Sequence, residues 1–373
     1  MRITFLMPGY PWTPSGGPRV VYEYANRLVA RGHHVTLVHP RHLDDAPLGE
    51  GTLYLRLRAK LLAARDVVAK PKLDWHTLDK RVKVVFVPNA DVCNMPRADA
   101  IFATACFTVD AVLQCPEEMG EKFYLIQGYE TWMKPKSFVD ATWRMPLHKI
   151  VIARWLLEMG ENLGVSDITY IPSAIDHERY KCITPVEERP RQVAMLFSGV
   201  PLKGARDGVR ALEIVRDRHP DLTVVFFGAG RRQSWIPAWI KYYRNPPQTF
   251  LIREIYNQSS IFLSPSWSEG FPLPPAEAAS CGCAIVAAEN GGIQEYVKHA
   301  VTGLLSPTHT PSALAANICT LLENDALRIR LALAARAAIQ RFNWEHSTNL
   351  LEEFIGTSQG SGCTETRTFL TSA

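Results

Sequence analysis

The sequence predicts two doubly wound α/β domains in tandem, facing each other across a cleft. Three observations predict it. The first forty residues read as strand, helix, strand, a βαβ unit of the kind that builds parallel sheets. The same alternation continues to about residue 172. After a polar stretch from 173 to 191, which carries Pro185 and Pro190 and little periodicity, the series begins again. A chain of 373 residues holds two domains at roughly 100–200 residues each.

The elements follow in order. Ile3–Met7 is an apolar run broken by Pro8-Gly9, and reads as a buried first strand. From Val20 to Arg31, Val21, Tyr24, Ala25 and Leu28 recur at helical spacing, and Gly32 stands where a helix-ending glycine would stand. Val35–Val38 is the next strand. Further strands are expected at Val82–Val87, Ala100–Ala103, Phe123–Ile126, Ile150–Ile152 and Ile168–Ile171, the last stopped by Pro172. In the second series, strands are expected at Val193–Phe197, Leu222–Phe227, Ile261–Ser264 and Ala284–Ala287, with a helix near Ala205–Arg218. Pro311–Leu322 and Asp325–Arg341 read as closing helices, and Trp344–Ile355 as a last one. The expected division is 1–172, 173–342, a terminal helix at 343–356, and a Ser/Thr/Gly-rich, poorly ordered tail at 357–373.

Composition excludes several classes. With 47% hydrophobic and 21% charged residues the chain is not a disordered one. A net charge of +4 does not point to nucleic acid. No apolar run reaches the roughly 18–20 residues that span a bilayer, and Ile3–Met7 is too short for a secretory signal. The eight cysteines include no C-x-x-C pair. Cys281 and Cys283 lack a second pair or a nearby His, so no zinc site and a reducing, cytoplasmic setting are expected.

The most informative segment is Ser264-Pro-Ser-Trp-Ser-Glu-Gly-Phe-Pro-Leu-Pro-Pro-Ala-Glu277. Pro272, Pro274 and Pro275 forbid a continuous helix between Glu269 and Glu277. Glu269 is therefore placed on the loop after a strand. Pro275 suits a first helical position, which puts Glu277 in the first turn of the next helix. Gly270, Phe271 and Leu273 keep their N–H groups in a loop otherwise poor in donors. Beside a helix N-terminus they make an anion cradle. A carboxylate on each side of a phosphate cradle suits hydroxyls on each side of a diphosphate, a sugar and a ribose.

This segment resembles the signature of the family 4 retaining glycosyltransferases: strand, Pro-Ser, then Glu-Gly-Phe-Gly-Leu-Pro-x-x-Glu-Ala, here with Pro272 for the usual Gly. Cys281-Gly282-Cys-Ala284-Ile-Val286, Gly291-Gly292-Ile-Gln-Glu295-Tyr-Val297 and Gly303-Leu-Leu305 extend the resemblance. It implies the GT-B fold, two Rossmann-like domains around a cleft. It also implies transfer of a sugar from a nucleotide-diphosphate donor to an acceptor hydroxyl with retained anomeric configuration. The resemblance assigns Glu277 to the ribose, Glu269 to the donor sugar, the amides near Gly270, Phe271 and Leu273 to the diphosphate, and Lys203 to the leaving diphosphate. Gly16-Gly17 would line the cleft beside the phosphates. Many members carry an Arg where this chain has Val200. A diphosphate leaving without a metal needs more than one cation, and Arg19, Arg231 and Arg232 are the candidate replacements. No Asp-x-Asp motif is present, so neither metal nor cofactor is expected beyond the nucleotide-sugar co-substrate.

The stretch Gln127-Gly-Tyr-Glu130-Thr-Trp resembles transferases of rhamnose-containing bacterial surface polysaccharides. It makes Tyr129, Glu130 and Trp132 candidate acceptor-binding groups, since an aromatic face packs on apolar sugar faces while a carboxylate accepts from hydroxyls. Tyr54–Lys83 holds nine Lys/Arg against three Asp, with leucines at roughly helical spacing. A basic amphipathic segment of this kind suits peripheral contact with an anionic membrane and a lipid-linked acceptor, or simply a solvated helix face. Three other readings stay open: a nucleotide-sugar epimerase, a phosphorylase, and a sugar-nucleotide-binding partner subunit without activity.

Overall fold

The computed structural model describes residues 1–43, 73 and 75–360. It contains two parallel sheets. In the N-terminal domain the strands are β1 (Arg2–Leu6), β2 (His34–Pro40), β3 (Lys83–Val87), β4 (Ala100–Ala103), β5 (Glu121–Ile126), β6 (His148–Val151) and β7 (Ile168–Tyr170). Their order is β3-β2-β1-β4-β5-β6-β7. Helices α1 (Gly16–Ala30), α2 (Val109–Leu113), α3 (Lys136–Arg144) and α4 (Arg154–Asn162) connect them. The C-terminal domain has β8 (Gln192–Leu196), β9 (Thr223–Gly228), β10 (Lys241–Arg244), β11 (Ile261–Ser264), β12 (Ala284–Ala288) and β13 (Leu304–Ser306), ordered β10-β9-β8-β11-β12-β13. Its helices are α5 (Ala205–Arg218), α6 (Leu273–Ser280), α7 (Pro311–Glu323) and α8 (Asp325–Ile339), and α9 (Trp344–Gly360) ends the described chain.

Each sheet reverses its strand order once, between β1 and β4 and between β8 and β11. In open parallel sheets ligands bind beyond the strand carboxyl ends at such a reversal. The segments that carry Gly16-Gly17, Lys203 and Glu269 follow β1, β8 and β11, so the two reversals supply the cleft's candidate residues.

The central strands are buried on both faces, as a sheet covered by helices demands. Phe5, Phe102 and Phe123 stack across β1, β4 and β5 with ring centroids 4.7 Å apart at each step, and Phe354 of α9 closes the row edge-on against Phe123. Thus α9 belongs by packing to the first domain. Arg31 donates to Glu345 at 2.8 Å and pairs with Glu352, and the His33 ring bonds Glu352 at 2.7 Å. His33, just past the end of α1, anchors this helix.

Several expectations need correction. The helix after β1 starts at Gly16, four residues before the expected Val20, because Gly-Pro suits a first turn. Strands β10 and β13 had no clear signal: Lys-Tyr-Tyr-Arg is a half-exposed edge strand, and Leu304–Ser306 is three residues long. The final helix runs through residues 357–360, placed above in the poorly ordered tail. Most of the basic stretch at 54–83 lies outside the described residues. No described helix is long and apolar enough to cross a membrane.

The connection from 173 to 191 is pinned by a buried cation. Arg189 donates to the carbonyls of Thr184 (3.1 Å), Tyr256 (3.3 Å), Ser259 (3.0 Å) and Cys281, and to the Asn257 side chain at 3.4 Å. Arg189→Ala leaves several buried carbonyls without a donor. It is expected to lower unfolding free energy by about 3 kcal/mol or more, measured by urea denaturation. A loss below about 1 kcal/mol would show that water replaces the guanidinium.

Candidate active site

The loop after β8 makes one 3-10 turn, Pro201–Lys203, and stops at Gly204. Gly204 has φ +61°, and a Cβ there would lie 2.0 Å from the Pro265 carbonyl oxygen. Only glycine lets this loop touch the loop after β11. Trp267 locks the pair: its N–H donates to the Leu202 carbonyl at 2.7 Å and its indole to Asp207 at 2.8 Å. So held, Lys203 Nζ lies 2.8 and 2.7 Å from the two Glu269 carboxylate oxygens.

Helix α6 begins at Leu273, with Pro274 and Pro275 inside its first turn. Pro274 lacks an N–H as Pro275 does, so neither proline alone fixes the start. Glu277 consequently falls in the second turn, not the first. Its side chain is buried, the residue being 1% exposed. The Tyr256 hydroxyl donates to one carboxylate oxygen at 2.8 Å. Arg19 of the opposite domain faces the other, Nη1 to Oε1 at 2.5 Å. Arg19 Nη2 donates to the Tyr180 hydroxyl at 2.5 Å, which also accepts from Gln248 at 2.6 Å. Burial alone would lower the Arg19 pKa, and Glu277, Tyr180, Glu23 and Tyr256 together more than reverse that. Burial and the Glu277 charge together raise the Tyr180 phenol. A second link between the same elements joins Arg179, from the 173–191 connection, to buried Glu23 of α1 at 2.9 Å.

The cleft walls meet closely. A Cβ on Gly270 would lie 1.8 Å from the Gln127 carbonyl oxygen, and one on Gly17 3.5 Å from the Gln127 side chain. Trp155 donates its indole N–H to the Gly270 carbonyl at 3.0 Å. Phe271 and Leu273 are buried, with Phe271 packed on Tyr296 and Phe342. Glu295 reaches across to the Arg154 amide and accepts from Tyr170 at 2.8 Å. The space beside Lys203 and Glu269 admits only about 10 Å³, room for about one water. Sites for drug-sized ligands measure roughly 300–1,000 Å³, so no ligand of that size fits beside the pair with the domains as they stand.

Not every expected residue reaches this cluster. The Tyr129 hydroxyl is committed to Asp140 and its ring packs edge-on against Trp143, so it serves its own domain. Glu130 points inward, accepting from the Cys106 amide at 2.6 Å, and burial pushes its carboxyl up to about 7. Trp132 stays exposed. Arg231 is exposed, and no described ion pair or hydrogen bond of its side chain joins it to the cleft. Arg232 donates to the carbonyls of Ile236, Pro237 and Ile240 in its own loop. Val200 is 46% exposed. Sequence reading missed Tyr180, Gln248, Tyr256 and Glu295. The tyrosines read as ordinary core aromatics, and only the position of Glu295 within Gly-Gly-x-x-Glu hinted at a role. Among the described residues one trio could hold a metal ion, His219 just past the end of α5 with Cys319 and Glu323 of α7. Arg218 already pairs with Glu323 there.

A family model described as "Glycosyl transferases group 1" matches residues 176–338. The chain is 29% identical over 202 residues to a D-inositol 3-phosphate glycosyltransferase of Jonesia denitrificans, covering 49% of this chain and 47% of that one. It is 27% identical over 241 residues to a phosphatidyl-myo-inositol mannosyltransferase of Mycobacterium tuberculosis, covering 58% and 62%. The match thus spans about half the length of these curated relatives. Among solved structures, Anabaena HepE in complex with UDP-glucose superposes with a TM-score of 0.68 at 18% identity, covering 96% of this chain and all of that one. Sucrose-phosphate synthase of Thermosynechococcus elongatus superposes with 0.71 at 15% identity, covering 96% and 99%. Both likenesses speak for the fold. Two parallel sheets with one order reversal each and the likeness to these structures give the chain the two-domain GT-B fold, and its residues 176–338, somewhat under half of it, resemble the group 1 glycosyl transferases.

Proposed function

We propose that the chain is a retaining, metal-independent glycosyltransferase. It moves a sugar from a nucleoside-diphosphate donor to an acceptor hydroxyl in polysaccharide or glycolipid synthesis. The observation that carries this reading is the pair of carboxylates, Glu269 and Glu277, on either side of the Gly270–Leu273 loop, each with a cation from another element: Lys203 from the loop after β8 and Arg19 from α1. The C-terminal domain holds the donor, Glu277 at the ribose and Glu269 at the transferred sugar. In the transfer, the bond between the anomeric carbon and the diphosphate oxygen breaks, and the acceptor oxygen bonds the same carbon from the same face. The acceptor proton passes to the departing diphosphate oxygen, so no separate side-chain base is used. Lys203 stabilises the charge gathering on that oxygen. Domain closure excludes water and so limits donor hydrolysis.

The acceptor lies against the N-terminal domain, near the exposed Trp132. The relatives that act on inositol phosphate and phosphatidyl-inositol favour a polyol or lipid-linked acceptor here. The first experiment is a thermal-shift screen with UDP, GDP, dTDP and ADP, with and without Mg²⁺. A ligand that binds only the folded state stabilises it by about 2.7 kcal/mol at a hundredfold excess over Kd. A shift with one diphosphate, insensitive to Mg²⁺ and lost in Glu277→Ala, is expected. Detection of a new glycosidic bond separates transfer from epimerisation of the donor and from mere binding.

Glu269→Ala removes both the sugar contact and the partner of Lys203. Transfer is expected to fall by about 100-fold or more, with an unchanged melting temperature showing that the fold is intact. Undiminished transfer would remove Glu269 from the reaction.

Glu130 gives a pH test. Its carboxyl titrates near 7 in the folded chain against 4.5 for an ordinary one, so between those values the folded state binds more protons. Stability therefore falls as pH rises through that window. Glu130→Gln keeps the shape and the Cys106 contact but loses the titration. The variant is expected to match the wild type near pH 5 and to exceed it near pH 8 by on the order of 1–2 kcal/mol. Parallel stability profiles would show that Glu130 is solvated.

A further inference from the structure

We propose that Arg19 is an exchange cation of the donor site: it neutralises Glu277 until a nucleoside diphosphate binds, then passes to the diphosphate while the ribose takes its place on the carboxylate. The proposal rests on the donor reading of Glu277 and adds to it the second cation that the reaction needs.

The charges of the site are paired two by two. Arg19 holds Glu277, and Lys203 holds Glu269. A carboxylate only accepts hydrogen bonds and a guanidinium or ammonium only donates them. Ribose and sugar hydroxyls can therefore replace the cations on the carboxylates. Diphosphate oxygens can replace the carboxylates on the cations. A nucleotide sugar brings both at once, so the exchange leaves no buried charge alone. A nucleoside brings hydroxyls only, and its binding strands the guanidinium. Pyrophosphate brings charge only, and its binding strands the carboxylates. A buried charge without a partner is strongly disfavoured.

Arg19 is placed for this move. It sits in the first turn of α1, beside Gly17, beyond the β1 end where the first sheet reverses its order. Its side chain is 23% exposed against 2% for Glu277, so the cation is the partner with room to move. The Tyr180 hydroxyl holds Nη2, and the Arg19 guanidinium carbon lies 5.6 Å from the Tyr180 ring centroid, which gives the group a pivot. The loop that supplies Lys203 presents Val200 to solvent and brings no second cation. Arg232 is committed to its own loop, and Arg231 has no described contact with the cleft.

The test is equilibrium binding of UDP, GDP, dTDP and ADP and of their parent nucleosides to the full chain and to Arg19→Ala. In the variant, affinity for the bound diphosphate is expected to fall about tenfold or more while nucleoside affinity rises or holds. Equal losses for both ligands would make Arg19 an interdomain strut and overturn the proposal. Equal or higher affinity for both would make it only an obstacle, with the same consequence. A measurement on the wild type alone covers a variant that does not fold. Saturating inorganic pyrophosphate is expected to raise nucleoside affinity several-fold, because each fragment frees the partner the other needs. Independent or competitive binding of the two fragments overturns the exchange. If no diphosphate binds the wild type, the donor reading itself falls and the exchange with it. If the wild type binds and the variant fails to discriminate, only the exchange falls.

Discussion

A carboxylate that is 1% exposed must be neutralised or hydrogen-bonded, and Glu277 obtains its cation from the other domain. The rest of the cleft is arranged around that constraint. A buried ion pair adds little net stability over apolar packing, yet a single buried charge without its partner is costly. The pair therefore penalises half-closed arrangements more than it rewards the closed one. With the domains fully parted, water can solvate both groups. With the domains closed, the groups satisfy each other. Closure is biased towards two discrete states, and Arg179–Glu23 and Glu295 with Arg154 and Tyr170 reinforce the closed one.

Backbone contact sets how far closure goes. Gly270 meets the Gln127 carbonyl at a distance that leaves no room for a side chain, and Gly17 lies against the same residue. Gln127 stands at the end of β5, next to the strand-order reversal of its sheet. The loop of one reversal thus bears directly on the loop of the other, and glycine is required at position 270, the point of contact. The same closeness lets short side chains such as Glu269 and Glu277 meet groups from neighbouring loops without long, entropically costly reaches.

Much of this was legible in the sequence, for physical reasons that differ between elements. Strands such as Ile3–Met7 and Ala284–Ala287 announced themselves because parallel strands buried on both faces are continuous apolar runs. The placement of Glu269 on a loop followed from three prolines. Lys203 and Glu277 came from resemblance, and the geometry adds what each holds. Other features carry no local signal. The partner of Glu277 lies 258 positions away, a pairing no spacing rule reaches. The start of α6 was misplaced by two residues because adjacent prolines are equally acceptable in a first turn. Tyr129 looked like a sugar platform because its stretch resembles those of surface-polysaccharide transferases and an aromatic face packs on sugars, whereas Asp140 on α3 takes its hydroxyl. Its ring direction is a matter of tertiary packing, which a single sequence does not display.

The return of α9 to the first sheet has a consequence for how the chain is made. Phe354 completes a row of rings that begins at Phe5, and Glu352 completes an ionic cluster begun at Arg31 and His33. Every residue of the C-terminal sheet lies between these partners in sequence. During synthesis the N-terminal domain leaves the ribosome first, yet it must wait with part of its apolar flank uncovered until the second domain has also emerged. Its maturation is tied to translation of the last described helix. A premature stop between β7 and Trp344 would release a first domain whose strands have paired and whose surface remains open to other hydrophobic chains.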